Sequence, residues 1–198
     1  MAQGFRSTPR GMVAHLDAQE RNVLRRLFED VLSMVELGAE AQHAGVDSDP
    51  LEDMLGLSDE DQPPADPALR RLLPDASLEP ERAQEFRRYT ERTLREDKAA
   101  VLRRCAMVVE HDPIQLNGSA IQDFARGLND VRLVLASRLN IESSDDASAV
   151  ERTAAQVDLN KLDDPEDYIA VVYVFVSWLQ NSLVEAMVMD LPDEPQSV

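Results

Sequence analysis

Asp164-Pro165-Glu166-Asp167 opens a run that stays apolar nearly all round, from Ile169 through Leu179 to Met187. Asp suits the N-cap, Pro the first turn, and the following acids face the positive end of the helix dipole. The four residues therefore predict a helix over Pro165–Met189. A helix without a polar face has no side to give to water and must be surrounded. Ser177, Gln180, Asn181 and Ser182 interrupt the most apolar part, Tyr168 to Leu183. It falls short of the roughly 20 apolar residues of a membrane span. The expected neighbours are therefore other helices, with Pro165–Met189 at the centre of a bundle.

Those helices are legible upstream. Asp17-x-x-Glu20 is a capping-box pattern. Val23, Leu24, Leu27, Val31, Met34, Val35 and Leu37 follow at helical spacing, so a first helix runs to about Ala44. Ala68 to Leu73 makes a short helix stopped by Pro74, and Pro80 opens a long one to Val109. Its inner side is predicted from Phe86, Thr90, Leu94, Val101, Leu102, Cys105, Val108 and Val109. His111-Asp112-Pro113 ends it, and Ile114-Gln115-Leu116 is an extended link. Ser119-x-x-Gln122 resembles a second capping box before a helix over Ala120–Asn140. Ser143 to Ser148 is expected to be a polar loop, followed by a short helix over Ala149–Val157. Gly11 to Leu16 makes a short strand paired with Gly4–Arg6 across Ser7-Thr8-Pro9-Arg10. The fold class is all-α, a helical bundle of about five helices with at most a small N-terminal β element. It forms one domain over 1–189, with an acidic mobile connection at 45–67 and an acidic tail at 190–198.

Charge narrows the function classes. The formal net charge is -18, yet half of the 20 Lys and Arg lie between Arg70 and Arg104. With seven acids in that window, its net is +3, leaving -21 for the rest. A chain this acidic is repelled by phosphate backbones and anionic membranes outside such a patch. The expected partner is a protein, with no membrane and no direct nucleic-acid contact. Met1 to Leu16 lacks the apolar segment of a secretory signal, which makes the cytoplasm the expected location.

Polar residues set into apolar surroundings supply the candidate site. Leu128, Val131, Val134, Leu135 and Leu139 form a stripe flanked by Asn129, Asp130, Arg132 and Arg138. Glu85, Arg87 and Arg88 play the same part on the preceding long helix. Buried polar groups are costly without partners, so such residues mark helix–helix contacts or binding surfaces. We expect Arg132 or Arg87 to meet a carboxylate across this helix pair, with Glu85 or Asp130 as the acid. Arg88, Arg92 and Arg95 at i, i+4 and i+7 read as a solvated face laced with ion pairs.

Catalytic, cofactor and metal signatures are missing. Sequence supports no phosphate-binding Gly loop, no Gly-x-Ser-x-Gly and no Ser/His/Asp set. His15, His43 and His111 stand apart, so no metal ligand set is expected. Asp47-Ser48-Asp49 fails as a calcium loop, because Glu52 occupies the turn position and Ser58 the twelfth. Cys105 is the one cysteine and lies on the inward stripe of its helix, where it serves as a small core residue.

Several segments resemble a family of uncharacterised actinobacterial proteins whose genes sit beside that of ClpS, the adaptor of the Clp protease. They are Asp66-Pro67 with Arg71-Leu72-Leu73-Pro74, Glu85-Phe86-Arg87, Leu128-Asn129-Asp130-Val131-Arg132-Leu133-Val134-Leu135 with Arg138-Leu139, and Trp178-Leu179-Gln180 with Ser182-Leu183. The resemblance covers most of Gly11 to Met189. It implies no established enzyme activity, and it implies a link to oxidative-stress transcription. A lone Cys105 leaves no internal disulfide to act as a switch.

The function expected from all this is a non-enzymatic cytoplasmic regulator that binds another protein, in Clp-adaptor-linked proteolysis or stress-responsive transcription. Two alternatives stay open. One is direct DNA binding. The other is a small-molecule binder or enzyme with a polar pocket lined by Arg87, Asn129 and Arg132.

Overall fold

A computed structural model describes residues 2–43, 63–158 and 164–190. Its elements are β1 (Gln3–Thr8), β2 (Gly11–His15), α1 (Ala18–His43), α2 (Pro67–Leu72), α3 (Pro80–Val108), β3 (Ile114–Leu116), α4 (Ser119–Arg138), α5 (Ser144–Ala154) and α6 (Pro165–Met189). The protein is mostly helical, with a small antiparallel sheet in the order β1-β2-β3. The Asp47-Ser48-Asp49 loop and most of the acidic connection and tail lie outside the described residues.

The N-terminal hairpin forms as the sequence suggests, with Arg6 opposite Val13 and Thr8 opposite Gly11. Gly11 holds a φ of +107°, and a Cβ there would collide with the Leu116 carbonyl oxygen, so only glycine fits. The expected link Ile114–Leu116 is a third strand that pairs with β2. Its alternation explains why: Ile114 and Leu116 point into the core while Gln115 faces out. Phe5 of β1 and Phe28 of α1 each meet the ring of Phe124 edge-on at 5.6 Å. That ring joins the sheet, α1 and α4.

Helix α4, rather than α6, occupies the centre. It touches α1, α2, α3, α6 and β3. Phe124, Leu128, Val131, Val134 and Leu135 supply its buried side chains. Gly127 lets α3 come close, because a Cβ there would lie 2.6 Å from the Cys105 sulfur. Helix α6 lies on a flank against α4, α5, β1 and β2. The sheet takes one of its sides, and Tyr168, Trp178, Val184 and Val188 stay exposed. By length and composition α6 is apolar enough to cross a membrane, with a mean hydropathy of 1.4 over its best 18 residues. Here its buried face, including Val172, Val176, Leu179 and Leu183, packs on protein.

Helix starts show which local signals were sufficient. The Asp17 box forms: Asp17 accepts from the Gln19 and Glu20 amides at 2.9 Å, and Glu20 accepts from the Asp17 amide at 2.7 Å. Asp164 caps α6 by accepting from the Glu166 amide at 2.8 Å. Asp66 caps α2 in the same way through Ala68, and Arg138 of α4 donates to its second oxygen at 2.7 Å. The Ser119 box does not form. Gly118 takes the N-cap position at φ +53°, with no side-chain cap. The expected loop Ser143–Ser148 is the start of α5 instead. There Ser143 and Asp146 make a reciprocal box, with Asp in place of the usual Glu or Gln.

Candidate functional site

The side chains that set α3 apart are charged and buried. Stepping back from Leu102 by three and then by fours gives Ala99, Arg95, Glu91, Arg87 and Ala83, all buried. The Glu91 side chain is only 2% exposed and sits between two guanidinium groups. Arg87 Nη1 donates to Glu91 Oε2, and Arg95 donates to Oε1 through Nε at 2.9 Å and Nη2 at 2.6 Å. Each arginine also reaches beyond its own helix. Arg87 Nη2 donates to Asp75 Oδ1 at 2.6 Å, just past α2. Arg95 Nη1 donates to the Val35 carbonyl of α1 at 2.9 Å. Burial works against the charge on Arg87, but the hydrogen bonds and charges of Asp75 and Glu91 outweigh it. The chain Asp75–Arg87–Glu91–Arg95 thus fastens α3 to α1 and to the segment after α2.

This arrangement rolls α3 away from the face its apolar residues predict. Phe86, Thr90 and Leu94, expected inside, face outward instead. Phe86 is 52% exposed, Tyr89 69% and Leu94 37%. The solvated face expected for Arg88, Arg92 and Arg95 is real for the first two only; Arg95 is buried.

The seam between α3 and α4 holds two cross-helix ion pairs. Arg104 Nε donates to Asp123 Oδ2 at 2.9 Å, and Asp130, the expected acid, is met by Lys98 instead of Arg132 or Arg87. Lys98 Nζ donates to both carboxylate oxygens, at 2.8 and 3.0 Å. Burial pushes the Asp130 carboxyl above its ordinary value, and the Lys98 hydrogen bond and charge only partly offset that. An open groove of about 490 Å³ runs over this pair, between Leu94 and Val101 on α3 and Ala125, Arg126 and Asn129 on α4.

The six expected residues therefore do not form one cluster. Arg87 belongs to the buried chain, and Asn129 and Asp130 belong to the groove. Arg132 is half-buried and, among the described residues, donates only to Asn129 within its own helix, at 3.4 Å. Glu85 and Arg88 are exposed and form no ion pair among the described residues. The expected polar pocket joining Arg87, Asn129 and Arg132 is not assembled. The cavity beside Arg87 holds about 20 Å³, room for a single water molecule. Glu91, Arg95 and Lys98 were missed. The signal for the first two was the i, i+4 continuation of the buried stripe between two alanines.

Cys105 is 1% exposed. Burial, with Asp123 adding to it, pushes its thiol up to about 12. It stays protonated at neutral pH and is a poor nucleophile. Among the described residues, no group of three His, Cys, Asp or Glu side chains is placed to hold a metal ion.

The chain matches the model of the family described as Domain of unknown function (DUF2017) over residues 2–187, and it belongs to that family. No curated protein and no solved structure matches it.

Two outcomes follow from this geometry. In urea melts, Glu91→Gln leaves two buried guanidinium groups without the carboxylate between them and loses about 3–5 kcal/mol, while Arg87→Ala loses less than that, because Arg95 still holds Glu91. Arg132→Ala loses about 1 kcal/mol or less. Equal, small losses for all three would show that the buried chain carries no structural role. The second outcome concerns pH. Folding raises the Asp130 carboxyl above its ordinary 3.8, so the folded chain holds that proton more tightly than the unfolded chain. Its contribution to stability is full below that ordinary value and is lost as pH rises through the folded-state value. Asp130→Asn removes this loss, so the variant gains stability relative to the parent on going from pH 3.5 to 6. An unchanged pH slope contradicts the assignment.

Proposed function

We propose that this protein is a non-enzymatic cytoplasmic regulator that acts by binding another protein through the outward face of α3. The observation that carries the proposal is the inversion of that helix. Three charged side chains lie inside, while Phe86, Tyr89 and Leu94 stand in water. Exposed aromatic side chains next to arginines are the composition of interface hot spots. Arg82, Arg88 and Arg92 share the outer surface with them. The groove over Lys98–Asp130 continues that surface across Leu94 toward α4. The resemblance to the ClpS-adjacent actinobacterial family directs the search for the partner to regulated proteolysis or stress-responsive transcription.

One alternative has an observation in its favour. The groove volume of about 490 Å³ lies within the range of small-molecule sites. Direct DNA binding has the weaker case, since the acids interspersed along α3 and the net charge of -18 oppose it.

The test is a paired capture experiment with crosslinking in an actinobacterial lysate, using the parent chain and Phe86→Ala/Tyr89→Ala. Both side chains are exposed, so the double variant should keep its urea midpoint to within about 0.5 kcal/mol per site. The expected result is a defined protein retained by the parent and lost by the variant. An empty capture, or the same proteins on both, overturns the proposal.

A further inference from the structure

Helices α5 and α6 carry a second surface with the reverse charge. Over the described residues 144–158 and 164–190 the sequence has nine acids and one base, Arg152. Two of these acids, Glu151 of α5 and Glu185 of α6, border an open groove of about 270 Å³ between the two helices. Neither forms an ion pair among the described residues. Trp178 lines the same groove and is 39% exposed. Ser177, also at the groove, has a buried hydroxyl oxygen with no hydrogen-bond partner among the described residues.

The spacing along α6 says what shape fits. Val171, Val174, Trp178, Asn181, Glu185 and Val188 follow one another at alternating intervals of three and four. That alternation makes a straight seam along a helix, the pattern by which one helix receives another. Val171 and Val174 at its start are half-buried, Val174 against the core, while Trp178 and Val188 farther along are exposed.

We propose that the α5–α6 face docks a basic amphipathic helix of a partner protein. Glu151 and Glu185 hold its Lys or Arg side chains, and Trp178 covers its apolar side and offers a ring face to a cation. Charge complementarity selects this occupant. A second copy would bring its own Glu151 and Glu185 against this pair, and like charges across an interface are strongly unfavourable. An anionic lipid surface is repelled for the same reason. The inference does not rest on the α3 surface, which lies on different helices.

Trp178 is the one tryptophan in the chain, so its emission reports on this groove directly. The full chain is titrated with an 18-residue Leu/Lys amphipathic peptide, and separately with a Leu/Glu peptide of the same apolar pattern. Neither peptide contains an aromatic residue. The expected result is a saturable blue shift with the Lys peptide alone. Its Kd weakens at least tenfold in Glu151→Gln/Glu185→Gln, and weakens again between 0.05 and 0.5 M salt. Glu81→Gln/Glu85→Gln on α3 leaves the Kd unchanged, which separates this surface from the one proposed above. Equal responses to both peptides, no response, or an unchanged Kd in the first double variant overturns the proposal. So does a shift produced by protein concentration alone with a dimer mass, which would identify a second copy. A shift produced only by phosphatidylglycerol vesicles would identify a membrane surface.

Discussion

A carboxylate held between two guanidinium groups, all three nearly out of water, determines how α3 lies in this protein. Glu91 cannot turn outward without leaving Arg87 and Arg95 as adjacent buried cations, and each arginine holds one of its two carboxylate oxygens. Separating buried charges costs more than exposing a few apolar side chains. The helix therefore rotates until the charged stripe faces α1 and the segment after α2. The Val35 carbonyl and Asp75 then complete the hydrogen bonding. Phe86 and Tyr89 are carried into solvent by the same rotation.

Much of the remaining fold follows from simple local signals. The Asp17 and Asp164 caps, the β1–β2 hairpin and the break at His111-Asp112-Pro113 were legible because each depends on residues within a few positions of one another. The centre of the bundle was not. The apolar character of α6 suggested full burial, but the number of neighbours a helix has is decided by packing. Gly127 lets α3 approach α4 closely. The sheet, widened by the unforeseen strand Ile114–Leu116, covers one side of α6 and leaves another open. Ser119 and Ser143 show how fine the capping signal is. Both start a capping-box pattern, and only the one with Asp at the third position forms it.

The site was half legible for a related reason. Asp130 stood out as a charge inside an apolar stripe, and it does make a cross-helix pair. The expectation that arginine would answer it overlooked Lys98, whose position on α3 places it at the α4 seam. Glu91 and Arg95 looked like ordinary members of a solvated i, i+4 ladder. A ladder of alternating charges is written the same way in sequence whether water or protein surrounds it. What distinguishes this one is the buried stripe that runs into it from Leu102 and Ala99.

These features give a molecule with two dissimilar faces on one core: an arginine- and aromatic-bearing face on α3, and an acidic, tryptophan-bearing face on α5 and α6. Both depend on the orientation of helices around α4, and the first depends on the roll of α3. Hydroxyl-radical footprinting of the dilute folded chain, read residue by residue by mass spectrometry, measures that roll directly. The account predicts that Phe86 and Tyr89 are modified at rates close to those of the urea-unfolded chain, while the buried Tyr173 is protected. Protection of Phe86 and Tyr89 in a monomeric sample would mean that α3 packs its aromatic face inward and that the buried charge chain does not set the fold.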